Sequence, residues 1–204
     1  MPADPATFHD AAPHETAPLR ATPSGGAGPV AVREAVPGDA PALATLAALT
    51  FPLACPPSTT PAGRAGFIAA HLSPERFAEY LADPARHLLL APGPDGRPLG
   101  YTMLALGEPS DEEAAAAIAL RPAVELSKCY VHPVHHGTGV AAALMAASLE
   151  AARDAGATGI WLGVNRHNLR AQAFYAKSGF AVVGTKHFLV GDTLEDDFVM
   201  ERPL

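Results

Sequence analysis

The sequence has few of the features that mark a secreted or membrane-embedded protein. It contains two cysteines, Cys55 and Cys129, in 204 residues, which excludes a disulfide framework. No apolar run reaches the roughly 20 residues that cross a bilayer. The first residues also lack the basic and then apolar pattern of a secretory signal. We therefore expect a cytoplasmic protein that does not act at a membrane.

Positive charge is also scarce. The chain has 14 lysines and arginines against 21 aspartates and glutamates, a formal net charge of −7 at pH 7. Nucleic acids are polyanions, so this balance argues against a nucleic-acid partner. It suits a cationic small molecule, although an acidic surface also serves solubility alone.

Apolar residues, in contrast, are plentiful. They make up 49% of the chain, which is enough for the core of one domain. Residues 1–29 are rich in proline, alanine, threonine and glycine without periodicity, and we expect a disordered tail there. Residues 30–204 are predicted to form the folded domain. Its first strand is expected at Val30 to Arg33, followed by a helix over residues 40–49.

Proline and glycine divide the next part of the chain. Four prolines between Phe51 and Pro61 predict a loop over residues 51–60. Ser73 and Pro74 predict the start of a helix. Asp95 and Gly96 predict a hairpin turn between two strands. The remaining expected elements are an alanine-rich helix within 107–122, strands at 158–164, 180–183 and 198–200, a helix at 171–178 and a turn at 190–192.

The most informative stretch runs from Glu125 to Leu149. Its first part, through Val131, reads as a strand that Pro133 ends, because proline has no N–H to donate. Gly137 and Gly139 follow, and an alanine-rich helix comes next. A strand, a short glycine loop and a helix direct free backbone N–H groups at one point, which suits a phosphate. Neither a nucleotide P-loop nor a dinucleotide glycine motif is present.

Three ordered motifs make this stretch specific. The segment from Cys129 to Pro133 leads into His136-Gly137-Thr138-Gly139-Val140-Ala141. Asn168-Leu169-Arg170-Ala171 follows, and then Phe174-Tyr175-Ala176-Lys177-Ser178-Gly179-Phe180. Together they resemble the pyrophosphate loop and the downstream motifs of the GNAT N-acetyltransferase superfamily. His136 stands where that family usually has glutamine or arginine, and we expect its backbone to provide most of its contribution.

The resemblance implies an α/β GNAT acyl-CoA N-acyltransferase fold, with a mixed and mostly antiparallel sheet flanked by helices. It implies acetyl-CoA as cosubstrate and no metal, although Cys129, His132, His135 and His136 cluster in the sequence. The residues that it places at the coenzyme are Cys129, Tyr130, Val131, His136, Gly137, Thr138, Gly139, Val140, Ala141, Asn168 and Tyr175. Arg166, Arg170 and Lys177 either meet coenzyme phosphates or form a solvated helix face.

Two residues are the catalytic candidates that the resemblance implies. Tyr175 would protonate the departing thiolate, or would only pack against the coenzyme. Glu125 lies before the loop at the spacing where some members carry a catalytic glutamate, and it would accept the amine proton; otherwise it is a strand-end glutamate. Asn168 would bond the coenzyme, cap a helix, or do both. The segment 51–71 would either form a wall of the acceptor site or be a passive connector.

The tail of the chain narrows the resemblance further. Residues 184–192 and 196–200 look like those of a bacterial branch that acetylates spermidine and spermine. We therefore expect acetyl transfer to a primary amine, a small amine such as a polyamine, by direct attack in a ternary complex. The alternatives are acetylation of a protein N-terminus or lysine, and a GNAT domain that binds acyl-CoA without turnover. A homodimer is one oligomeric state that we consider.

Overall fold

The computed structural model describes residues 29–190 and 193–204. The predicted tail, except for residue 29, lies outside these ranges. So does most of the turn that was predicted at residues 190–192. The boundary between tail and domain therefore stays a prediction.

Helices and strands are mixed along the described chain. The helices are α1 (Ala40–Ala54), α2 (Pro61–His71), α3 (Pro74–Ala82), α4 (Glu112–Ala117), α5 (Val140–Asp154) and α6 (Leu169–Lys177). The strands are β1 (Arg33–Glu34), β2 (Arg86–Pro92), β3 (Pro98–Ala105), β4 (Ala123–Val131), β5 (Gly159–Asn165), β6 (Ala181–Val190) and β7 (Thr193–Pro203).

The strands form one sheet in the order β1-β2-β3-β4-β5-β7-β6. Strands β4 and β5 pair in parallel, whereas the other neighbouring pairs are antiparallel. This confirms the α/β fold with a mixed and mostly antiparallel sheet that the resemblance implied.

Both faces of the sheet are covered. The α5 face packs against α5 and α6 through a core that includes Leu104, Leu126 and Met145. A buried hydrogen bond of 2.9 Å from Ser148 Oγ to Thr102 Oγ1 also ties α5 to this face. The opposite α1 face packs against α1, α2 and α3 through a second core. Side chains alternate along a strand, so neighbouring residues of β4 and β7 face different compartments.

Strands β4 and β5 separate after a short paired segment. Their ladder covers only Ala123–Glu125 and Gly159–Trp161. Further along β4 the register with β3 shifts, because Leu104 pairs with Leu126 whereas Met103 pairs with Lys128. Ser127 is thus the extra residue of a β-bulge, which bends a strand and increases its twist. A gap therefore opens between β4 and β5.

The predicted loop over residues 51–60 is wrong at its start, because α1 continues to Ala54 with Pro52 inside it. Phe51 is buried, and its ring stacks on that of Phe67 at 4.4 Å between centroids. This tertiary packing holds the last turn of α1 although Pro52 lacks an N–H. The structure also adds α2, which Thr60 caps by accepting a hydrogen bond from the N–H of Gly63. Only residues 55–60 form the connector between α1 and α2.

Other predicted elements agree in type and differ at their ends. Ser73 caps α3, and Gly96 has the positive φ of 80° that its hairpin turn needs. The first strand is shorter than expected, because the ladder with β2 covers only Arg33 and Glu34. Val30 and Val32 instead pack against a small core next to α5.

Candidate active site

A cavity of about 610 Å³ occupies the gap between β4 and β5 and extends over the α1 face. Its lining includes Glu125 to Val131 of β4 and Gly163 to Asn165 of β5. Parts of α1, α2, α3, α6, β2, β6 and β7 also line it. The cavity brings together Glu125, Cys129, Tyr130, Val131, His136, Asn168 and Tyr175. The loop residues 137–141 are outside its lining.

The glycine loop has a geometry that glycine alone adopts without strain. Gly137 has φ 78°, and Gly139, the N-cap of α5, has φ 92°. A Cβ at either position would meet nothing within 4 Å, so the space in front of the loop is open. The first N–H groups of α5, those of Val140 and Ala141, have no acceptor within the helix. Thr138 fixes the loop by donating from Oγ1 to His135 O at 2.8 Å. The loop therefore fits a pyrophosphate.

The side chain of His136 does more than the sequence predicted. Its Nε2 lies 3.0 Å from Val131 O, and its Nδ1 lies 2.7 Å from Nη1 of Arg170. A carbonyl only accepts and a guanidinium only donates, so Nε2 donates to Val131 O and Nδ1 accepts from Arg170. The ring thus links the loop after β4 to α6, on the far side of the gap.

Tyr175 lies on α6 and is 9% exposed. Burial raises its pKa well above the usual value, and the neighbouring Cys129 raises it further. The hydroxyl therefore keeps its proton at neutral pH. Burial also raises the pKa of Cys129, to about 12, so this thiol stays protonated as well. A protonated phenol at the gap is able to donate to a nearby anion.

Asn168 has the helix-capping role that was one of its two predicted roles. Its Oδ1 accepts from the N–H of Ala171 at 3.1 Å at the start of α6. The residue also lines the cavity, so the cap and a coenzyme contact are compatible.

Of the three basic residues considered near the phosphates, Arg166 instead pairs with Asp196 at 3.0 Å on the sheet. Arg170 points to the loop, through His136.

Glu125 and Lys128 face the same cavity. The bulge at Ser127 shifts the alternation of β4 by one residue, which puts both side chains on the α1 face. Burial raises the pKa of Glu125, against the effect of the positive charges on Lys128, Lys186 and Arg86. Burial lowers the pKa of Lys128 to about 8, and Glu125 opposes this shift. Sequence reasoning missed Lys128, because nothing in the sequence marks the bulge.

Two acidic residues of β7 also reach the cavity. Glu195 and Asp197 are two residues apart in the strand, so their side chains lie on the same face of the sheet. Each residue is 7% exposed, and both line the cavity. Glu195 accepts hydrogen bonds from Ser58 at 2.9 Å and from Thr59 at 3.2 Å. Asp197 Oδ1 has no hydrogen-bond partner among the described residues, and burial raises the pKa of this carboxyl to about 6. Sequence reasoning quoted Asp197 only within the tail motif, and assigned it no role.

The described ranges contain no group of three or more histidine, cysteine or acidic side chains arranged to hold a metal ion. The cluster of Cys129, His132, His135 and His136 therefore does not come together as a ligand set there. Over the same ranges, no helix has the length and apolar character needed to cross a membrane.

The model of the acetyltransferase (GNAT) family matches residues 54–180, more than half of the chain. The chain belongs to this family. An uncharacterized N-acetyltransferase of Mycobacterium tuberculosis is 52% identical over 166 residues, which cover 81% of this chain and 98% of the relative. An uncharacterized N-acetyltransferase of Lactobacillus delbrueckii subsp. lactis is 24% identical over 81% of this chain and 92% of its own.

Solved GNAT structures share the fold. The PaiA N-acetyltransferase of Thermoplasma acidophilum, in complex with coenzyme A, has a TM-score of 0.67 and 20% identity over 85% of this chain and 98% of its own. A GNAT acetyltransferase of Streptococcus pneumoniae has a TM-score of 0.59 and 18% identity over 85% and 99%. This GNAT protein is accordingly an acetyl-CoA-dependent N-acetyltransferase.

Proposed function

We propose that this acetyltransferase transfers the acetyl group of acetyl-CoA to a primary amine of a small cationic acceptor, such as a polyamine. The amine attacks directly in a ternary complex. The coenzyme enters from the loop of α5 and passes between β4 and β5. The acceptor binds over the α1 face, where the cavity continues.

The observation that carries this proposal is the cover over the α1 face. Ser58 and Thr59, in the connector between α1 and α2, bond to Glu195 on β7 across the sheet. The ring of Phe67 in α2 contacts that of Phe188 in β6 at 5.6 Å between centroids. The segment 51–71 is thus fastened over the cavity at two points. A covered cleft favours a small acceptor over a folded protein surface.

The charges in the cavity favour a cationic acceptor. Glu125, Glu195 and Asp197 supply three carboxylates. The basic groups that line the same cavity are largely engaged elsewhere. Lys186 pairs with Asp111, Arg86 with Asp83, and Arg170 bonds to His136. Lys128 has no ion pair within 4.0 Å among the described residues. The charge of Glu125 nevertheless acts on it, because it partly offsets the lowering of the Lys128 pKa by burial.

Glu125 is the proposed acceptor of the amine proton, directly or through water. Alkyl amines have a pKa of about 10.4 and are mostly protonated at neutral pH, so a base is needed. Buried Glu125 has a raised pKa, which makes its carboxylate a stronger base than an exposed one. The nitrogen bonds to the carbonyl carbon to give a tetrahedral intermediate, and the carbon–sulphur bond breaks when this intermediate collapses.

Tyr175 is the proposed donor to the sulphur that leaves. Its hydroxyl stays protonated because burial raises its pKa. The proposed contacts to the coenzyme follow the sequence prediction. The backbone of Cys129 to Val131 is free of β5 beyond Glu125, so it is available to pair with the coenzyme like an added strand. The same backbone would polarise the acetyl carbonyl.

The two alternatives predict different behaviour. A protein acetyltransferase would act on peptides and ignore small amines. A non-catalytic domain would bind acetyl-CoA without releasing thiol. We therefore suggest an assay of free-thiol release from acetyl-CoA against a panel of polyamines, monoamines and peptides. We expect amine-dependent release with polyamines. Release with peptides alone, or acetyl-CoA binding without release, would contradict the proposal.

A further inference from the structure

We infer that Asp197 is the anchor for a second, non-reacting ammonium group of the acceptor, and that it thereby selects diamines and polyamines over monoamines. This inference rests on the proposed function and assigns the choice of substrate to one residue. Three features of the cavity support it: the position of Asp197, its carboxylate without an ion pair, and the apolar wall nearby.

Asp197 is held rigidly on the floor of the cavity. It lies in the interior of β7, opposite Asn165 of β5 and Lys186 of β6. Its side chain is 7% exposed, and the exposed part faces the cavity. A residue paired on both sides within a sheet keeps its position when a ligand binds.

The carboxylate has bonding capacity that the protein leaves unused. Oδ1 is fully buried and has no hydrogen-bond partner among the described residues, so Oδ2 is the oxygen that is open to the cavity. Lys186, its cross-strand neighbour, pairs with Asp111, and no ion pair within 4.0 Å joins it to Asp197. Lys186 and the side chain of Asn165 nevertheless lie close enough to lower the pKa of this carboxyl. A buried carboxylate without a full partner is unfavourable unless a ligand supplies one. Glu195, two residues away, differs because Ser58 and Thr59 already satisfy it.

Gly163 lies directly beside the Asp197 carboxylate. A Cβ at this position would lie 3.5 Å from Asp197 Oδ2 and 3.1 Å from Lys186 Cε. A side chain at position 163 would therefore crowd both the carboxylate and Lys186. The rings of Phe67 and Phe188 form an apolar wall of the same cavity, which suits the methylene chain of an alkyl amine.

The sheet places Asp197 away from the reacting atoms. β5 lies between β4 and β7, and neighbouring strands are about 4.8 Å apart. The proposed position of the acetyl group is beside β4, in the gap. Asp197 thus lies on the far side of β5 from that gap. An ammonium on Asp197 would be linked to the attacking amine by an alkyl spacer, as in a diamine.

The test compares putrescine with butylamine, which differs from it by the second amine alone. For the unmodified protein we expect kcat/KM to favour putrescine by about tenfold or more, in line with the loss of a buried charge pair. Asp197→Asn keeps the shape and removes the charge, and should abolish this preference. Asp196→Asn is the matched control, because Asp196 is half-exposed and pairs with Arg166 outside the cavity.

Two further readouts make the outcome decisive. Calorimetry of putrescine with the coenzyme A complex should show binding that Asp197→Asn removes, whether or not turnover occurs. Gly163→Ala keeps the charge but crowds the Asp197 carboxylate, and should also lower the preference. A preference for putrescine that persists in Asp197→Asn would overturn the inference. Absence of turnover with both amines, together with normal putrescine binding, would instead contradict the proposed function and leave Asp197 as an amine site.

Discussion

The two halves of the cavity are built in different ways. The proposed coenzyme half comes from one continuous stretch, from β4 through the glycine loop into α5, with α6 beside it. It presents mainly backbone groups. The proposed acceptor half collects side chains from α1, α2, β4, β5, β6 and β7, which are distant in sequence. It presents carboxylates, a lysine and aromatic rings. We therefore propose that binding of the coenzyme depends on local conformation, whereas the choice of acceptor depends on long-range packing.

The largest effect is expected from a change in the glycine loop. Gly139→Glu places a side chain and a negative charge where φ is 92° and where a pyrophosphate would bind. We expect acetyl-CoA affinity to fall by about 100-fold or more, which is about 2.7 kcal/mol. Calorimetric titration of the purified variant measures this loss.

Gly156→Glu is its matched control. Gly156 follows the other end of α5 and has a φ of 78° with equally open space. The backbone strain is thus similar, but the loop is untouched. Equal loss of affinity in both variants would show that strain, and not the loop, is responsible.

The second prediction concerns the proposed acid. Tyr175→Phe keeps the ring that packs against Phe180 and removes the hydroxyl. We expect kcat to fall by about 100-fold, the low end of what a positioned acid contributes, because a thiol is already a tolerable leaving group. Acetyl-CoA affinity should remain unchanged. Steady-state kinetics separates the two quantities.

Tyr101→Phe is the control for that measurement. The Tyr101 hydroxyl is buried, without a partner in the described residues and outside the cavity lining. Its removal should leave turnover unchanged. An unchanged kcat in Tyr175→Phe would refute the role of Tyr175 as the acid while leaving the fold untouched.

The third prediction concerns Glu125 and pH. A base works when it is deprotonated, so the rate should rise with pH through the raised pKa of Glu125. Glu125→Gln should lower kcat by about tenfold at neutral pH and recover partly in alkali, where the amine loses its own proton near pH 10.4. Lys128, Lys186 and Arg86 face this carboxyl and keep its pKa from rising further.

A pH–rate profile of Glu125→Gln beside Glu150→Gln tests this role. Glu150 is exposed on α5 and loses the same charge. Profiles of the same shape for both variants would show that Glu125 is not the base. Its role would then be structural, at the end of the β4–β5 ladder.

The fourth prediction concerns stability. The pKa of Asp197 is about 6 in the folded protein, above the value of about 3.9 in an unfolded chain. The folded state therefore holds its proton more tightly, and stability falls as pH rises between these values. At neutral pH this burial costs up to about 3 kcal/mol. Asp197→Asn should raise Tm at pH 8, and the gain should shrink toward pH 4.

Thermal melts over that pH range check the prediction against Asp196→Asn. A lower Tm for Asp197→Asn at pH 8 would show that the carboxylate has a stabilising partner within the protein. That result would contradict the inference that Asp197 is free to bind an ammonium group.

The same contrast explains what could be predicted from the sequence. Gly137, Gly139 and Asn168 carry local signals, since a left-handed turn and a helix cap depend on neighbouring residues. Tyr175 was found through a motif. Lys128 was missed because its direction depends on a one-residue bulge. The role of Asp197 was missed because its neighbours in the sheet depend on how β7 pairs with β5 and β6. The sequence does not show this pairing.

The helix ends near the cavity could not be predicted from neighbouring residues in the sequence either. Pro52 reads as a break in the sequence, yet the stacking of Phe51 on Phe67 extends α1 past it. The cover over the α1 face depends on Ser58 and Thr59 reaching Glu195, which is more than one hundred residues away. Only the folded sheet brings these groups together.

The most direct test of the two-sided site is a crystal structure of the ternary complex with coenzyme A and putrescine. We expect the pantetheine chain between β4 and β5, with the pyrophosphate at Gly137 to Ala141. One ammonium should lie about 3 Å from the Asp197 carboxylate. Putrescine on the α5 face, or a coenzyme bound away from the gap, would contradict the account.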